Sequence, residues 1–184
     1  MLAMNVPNGD FPGEDVSAIR ASDPFVKTAV CQFGPMHFST MEAQARTNGI
    51  SNTHENAVDM PESAYIGQLI DKAPEALIAQ ANPTTYASAD MRQILVQHGT
   101  RDHLVPFEQS VEFVNSVYSK AGGGKITYVP LVGADHEDKM FITEPNMGFV
   151  WEYLRKQLGY LILRKHASLR TNGSAGKTTA TGIR

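Results

Sequence analysis

Gln93-Ile94-Leu95-Val96-Gln97-His98-Gly99-Thr100-Arg101-Asp102-His103-Leu104-Val105-Pro106-Phe107 is the stretch on which the fold turns. Its first six residues hold a short apolar run stopped by Gly99, which reads as a strand. Pro106 then opens a helix, since a proline is well tolerated in a first helical turn. Phe107, Val111, Val114 and Val117 or Tyr118 recur at helical spacing through Lys120 and make one apolar face. Gly122-Gly123-Gly124 ends it. A strand therefore hands over to a helix through one short polar loop.

The same unit recurs on either side. Upstream, Val26 to Phe33 reads as a buried strand, ended by Gly34-Pro35. Downstream, Lys125 to Val132 reads as a third strand, followed by Gly133, and Asn146 starts a last helix with Phe149, Val150, Tyr153, Leu154 and Leu158 as its buried stripe. Between the first two strands, Ser39 to Asp71 is polar and reads as an irregular excursion above the sheet. Pro74 begins a short helix over residues 75–80, which Asn82-Pro83 closes because the residue before a proline avoids helical angles. Strands alternating with helices predict an α/β fold, with a short parallel sheet of about three strands flanked by helices. So narrow a sheet predicts an absent neighbour strand, or a second copy of the chain paired at the exposed edge.

Composition bounds the functions open to such a chain. Its 184 residues are 42% hydrophobic and 19% charged, which suits a folded domain and not a disordered one. No apolar run reaches the ~18 residues that span a bilayer. The N-terminus lacks the basic start and apolar run of a signal peptide, so the chain reads as cytoplasmic. The net charge of −3 conceals a split: residues 1–154 carry nine Lys/Arg against nineteen Asp/Glu, and residues 155–184 carry seven Lys/Arg and no acid. An acidic body argues against nucleic acid as a partner. The single cysteine, Cys31, excludes an intramolecular disulfide and a cysteine-rich zinc framework, and nothing else calls for a metal or a cofactor. Residues 1–25, rich in Pro and Gly, read as a loop-like lead-in, 26–158 as the folded body, and 159–184 as a basic tail, helical and then flexible.

Two loops fall just past strand C-termini, where open α/β sheets place their ligands. One is His98 to Pro106; the other is Gly133-Ala134-Asp135-His136-Glu137. Taken singly, Asp102 reads as a turn former, His136 as a surface histidine and His98 as a packing residue with a satisfied ring. Taken together, an acid on one loop and a histidine on the next meet the needs of a Ser-His-Asp triad. There the carboxylate holds the imidazole tautomer and the imidazole takes the nucleophile's proton.

HGTRDHLVPFEQS at 98–110, followed by GADHED at 133–138, resembles the C-terminal half of the α/β-hydrolase superfamily. The likeness is to its carboxylesterase and feruloyl-esterase-like group, related to prolyl oligopeptidases. CQFGPMHF at 31–38, ESAYIGQLI at 62–70 and ANPTTY at 81–86 extend it, so that it runs from about residue 26 to 158. The resemblance implies a partial α/β-hydrolase fold and a serine carboxylic ester hydrolase acting on a small-molecule ester by acyl transfer. Asp102 would be the triad acid and His136 the base. A peptidase of the prolyl oligopeptidase type would differ in turning over amides as well. In this family the nucleophile sits in a G-x-S-x-G elbow upstream of the strand matched by residues 26–33. This sequence contains no G-x-S-x-G. Met1-Leu2-Ala3-Met4 resembles the helix that follows the elbow, so the chain is expected to begin just after the family's serine.

Asn172-Gly173-Ser174-Ala175-Gly176 resembles the family's Gly-Ser-Ala-Gly core, with asparagine in the first position, and makes Ser174 the candidate nucleophile. Its surroundings are polar and basic, unlike the apolar strand that leads into an elbow. The continuation Gly176-Lys177-Thr178 is no phosphate loop, because Thr171 stands where the first glycine belongs. The competing expectation is a non-catalytic half-domain, or an oligomerising subunit that lacks its nucleophile.

Overall fold

A computed structural model of the chain describes residues 26–50 and 60–159. The lead-in, most of the basic tail and Ser174 lie outside the described residues. Three strands, β1 (Thr28–Gln32), β2 (Gln93–Gly99) and β3 (Ile126–Leu131), form one parallel sheet in the order β1-β2-β3. Five α-helices accompany them among the described residues: α1 (Phe38–Thr47), α2 (Pro61–Ile66), α3 (Glu75–Ala81), α4 (Glu108–Ala121) and α5 (Glu144–Leu158). This is the short, helix-flanked parallel sheet that the alternating pattern predicts. No helix among these residues is long and apolar enough to cross a membrane.

β2 is paired along both edges and has a helix on each face, so six of its seven residues are buried. Side chains alternate across a strand. Ile94 and Val96 pack with Phe113, Val114 and Val117 of α4, while Leu95 packs on the other face with Val150 and Tyr153 of α5. The next pair continues the alternation with polar residues. Gln97 reaches Asn146 of α5 at 2.6 Å, and His98 reaches Ser110 of α4 at 2.6 Å.

Several elements depart from the sequence expectations. β1 is half-buried along its length, not buried, because it pairs on one side only. The expected irregular excursion over Ser39 to Asp71 instead holds most of α1, whose Met41 and Ala45, one helical turn apart, are buried, and all of α2. Gln109 organises this region from α4: its Oε1 accepts the Met36 and His37 amides at 2.9 and 2.7 Å, and its Nε2 donates to Gln44 at 2.7 Å.

The buried face of α4 is Gln109, Ser110, Phe113, Val114 and Val117, and Tyr118 is exposed. The buried face is rotated from the apolar stripe because two of its members are polar and buried through hydrogen bonds. α5 begins two residues before Asn146 because Pro145 fits its first turn. Only Val150 and Tyr153 of its expected stripe are buried; Phe149 and Leu158 are exposed.

Gly99 closes β2 where the two loops cross. A Cβ there would stand 2.4 Å from the Ala134 carbonyl oxygen, which is backbone and cannot swing away. Gly99→Ala is therefore expected to force the two loops apart and to cost about 1–3 kcal/mol, as overpacking does. A lowered urea midpoint with an unchanged slope is the check; an unchanged midpoint counts against this crossing.

Candidate active site

The site forms where β2 and β3 end. Thr100 donates its amide to Leu131 at 3.0 Å and Arg101 to Ala134 at 3.0 Å, while the Thr100 hydroxyl accepts the Gly133 amide at 2.9 Å. Parallel strands bring their C-termini to one edge of the sheet, and these bonds lace the two following loops together. Asp102 on the first loop and His136 on the second are brought into contact. His136 Nδ1 lies 2.9 Å from Asp102 Oδ2.

The Asp102 side chain has no exposure and accepts four hydrogen bonds. Oδ1 takes the amides of Leu104 and Val105, at 2.8 and 2.7 Å, which curls the loop around it. Oδ2 takes the rings of His136, and of His98 at 3.2 Å. Burial pushes this carboxyl up, yet the bonds from His98, Leu104, His136 and Val105 together outweigh burial and hold it below its ordinary 3.8. It is a carboxylate at neutral pH.

Both histidines then have assigned tautomers. His98 Nε2 faces the Val105 carbonyl oxygen at 3.0 Å, an acceptor only, so Nε2 carries the proton. Its Nδ1 accepts from the Ser110 hydroxyl at 2.6 Å in the neutral ring. His98 is fully buried with a satisfied ring, and it also contacts the acid, a link the sequence did not disclose. His136 donates Nδ1–H to a carboxylate, which leaves Nε2 as the basic nitrogen. That side chain is 19% exposed, and Nε2 has no hydrogen-bond partner among the described residues.

Two further residues shape the site and carry no sequence signal of it. Phe33, at the end of β1, lies with its ring 4.6 Å from the His136 ring and 4.8 Å edge-on from Phe141. It takes φ 44°, a left-handed conformation costly for an aromatic residue, and its amide is held by the Gln97 carbonyl at 2.8 Å. Asp135 pairs with His103, Nδ1 to Oδ2 at 2.8 Å. The His103 amide first, then the His136 amide and the His103 ring, holds its carboxyl down at about 2.

Burial pushes the Cys31 thiol above its ordinary 9.0, away from the reactive thiolate form. No cluster of three or more His, Cys, Asp or Glu among the described residues could hold a metal ion. Ser174 falls outside them.

The family model described as BD-FAE matches residues 5–117. Among solved structures, a truncated form of a carbohydrate esterase from gut microbiota is similar at TM-score 0.56 and 25% identity, over 72% of this chain and 43% of that one. A bifunctional GH43-CE protein of Bacteroides eggerthii is similar at TM-score 0.59 and 25% identity, over 72% of this chain and 16% of that one. A thermophilic esterase of the planctomycete Thermogutta terrifontis, at TM-score 0.53 and 18% identity over 89% of this chain and 52% of that one, shares the fold. The chain thus spans between 16% and 52% of the length of these proteins. No curated protein matches it. The three-stranded sheet with its helices is a partial α/β-hydrolase fold.

Asp102→Asn places an amide NH₂ where four donors converge, and is expected to cost about 1–3 kcal/mol of stability at pH 7 through the buried groups left unpaired. The native carboxyl is held below 3.8, so its stabilisation is complete above that pH and is lost as pH falls through the lowered value. Urea unfolding should accordingly show the gap between variant and wild type closing below about pH 4. A gap that persists unchanged to pH 2 counts against an ionised Asp102.

Proposed function

The chain belongs to the BD-FAE family, and on that premise we propose that it is a serine carboxylic ester hydrolase of small-molecule esters, with Asp102 as triad acid and His136 as general base. One observation carries this reading: an imidazole whose Nδ1 is bonded at 2.9 Å to a fully buried carboxylate and whose other nitrogen is unpartnered among the described residues. The esterase character of the similar solved proteins supports the reaction class.

Neutral His136 removes the proton of a serine hydroxyl at Nε2 as the serine oxygen attacks the ester carbonyl carbon. Asp102 stays ionised, keeps Nδ1–H in place and stabilises the imidazolium. His136 then returns that proton to the departing alcohol, leaving an acyl-serine. Water repeats the sequence: its proton goes to Nε2, its oxygen takes the acyl group, and the proton returns to the serine as the acid leaves. On the Gly-Ser-Ala-Gly likeness, Ser174 is the candidate nucleophile. The absence of G-x-S-x-G from the sequence favours a second reading, a half-domain that carries the acid–base pair and no nucleophile.

A fluorophosphonate probe and a short-chain nitrophenyl ester separate the two. The hydrolase reading expects covalent labelling that maps to Ser174 by mass spectrometry, and ester turnover that falls by at least about 10²-fold in His136→Ala, the loss typical of a general base. Labelling at another serine would move the nucleophile there. Neither labelling nor turnover at high protein concentration would falsify the hydrolase reading for this chain and leave the half-domain.

A further inference from the structure

We propose that Asp135 is a positioning residue for His136, a bracket that ties the main chain of the histidine loop to the main chain of the acid loop and so sets the meeting of His136 with Asp102. The inference rests on the acid–base reading of that pair. Asp135 Oδ1 accepts two main-chain amides at once, His103 at 2.8 Å and His136 at 2.7 Å. Its Oδ2 faces His103 Nδ1 at 2.8 Å. His103 directly follows Asp102 in the chain, and His136 directly follows Asp135. One carboxylate oxygen therefore joins the two loops at the positions adjoining the reacting pair.

Among the described residues, no other side chain outside the Asp102–His136 pair joins the loops at those positions. Asp102 is held within its own loop by the Leu104 and Val105 amides, and the lacing of Thr100 and Arg101 to Leu131 and Ala134 ends before His136. The His136 amide has no other acceptor among the described residues. The residue after it, Glu137, takes φ 54°, so the histidine leads into a costly left-handed turn that needs an anchor. The His103–Asp135 ion pair is not that anchor. Its side chains are 65% and 48% exposed, and exposed pairs contribute little. The function lies in the shared oxygen and the two amides.

The test is proton NMR of the full chain, following solvent exchange of the His136 Nδ1–H resonance, with kcat and KM on a nitrophenyl ester beside it. Asp135→Ala removes the shared acceptor. It should speed exchange of that proton and lower kcat by about 10–100-fold with KM unchanged, as a displaced catalytic group does. Asp135→Asn keeps an oxygen for both amides and should restore both readouts. His103→Ala keeps its amide and should leave both near wild type.

Unchanged exchange and kcat in Asp135→Ala overturns the bracket, and so does an equal loss in Asp135→Asn, which would make the charge responsible. If Asp135→Ala does not fold, the wild type decides. Protection of the His103 and His136 amides by about 10²-fold or more supports the bracket, and exchange at the rate of an open chain overturns it. A wild type that shows the resonance but hydrolyses no ester refutes the hydrolase reading alone.

Discussion

Taking the Asp102 carboxylate out of water is the constraint around which the site is built. A buried charge without partners costs several kcal/mol, so a chain that buries one must deliver donors to it. Four arrive, from the Leu104 and Val105 amides and from the His98 and His136 rings. Each donor is itself constrained. The amides belong to the turn that leads into α4, His98 is held by Ser110 on α4 and by the Val105 carbonyl, and the His136 ring lies beside Phe33. The charge thus links the end of β2, the start of α4, the loop after β3 and the end of β1.

The sheet makes that convergence geometrically available. Three parallel strands end on one edge, and the alternation of side chains along β2 sends Gln97 toward α5 and His98 toward α4. Both are fully buried polar residues that directly follow the apolar run Ile94-Leu95-Val96. Their hydrogen bonds orient the two helices around the site and hold Asn146, which in turn bonds the Phe141 carbonyl beneath Phe33. Stability and positioning rest on the same side chains, so polar residues near the strand's end are as much part of the core as Ile94 or Val96.

Much of this was legible before any contact was known. The three strands and the helices α3, α4 and α5 follow from apolar runs, Pro and Gly positions and helical spacing, which are local properties. Asp102 and His136 were legible as a pair from their place after two strands in the right order. What escaped has a common cause. α1 was hidden because its buried face is only Met41 and Ala45 within a polar segment. The face of α4 was misjudged because Gln109 and Ser110 are buried by hydrogen bonds to residues far along the chain. Phe33 and Asp135 looked like a strand residue and a turn residue, and nothing local marks a ring beside one histidine or a carboxylate spanning two loops.

Order along the chain was enough to decide the alternation of strands and helices and the acidic body, and to bring Asp102 and His136 forward as a pair, since each depends on near neighbours or on residue order alone. Tertiary structure decided that His136 meets Asp102 across 34 residues, that His98 shares the same carboxylate oxygen, and that Asp135 joins the loops. Those bonds exist only after β2 and β3 have paired side by side, and no periodicity within either loop encodes a distance between them.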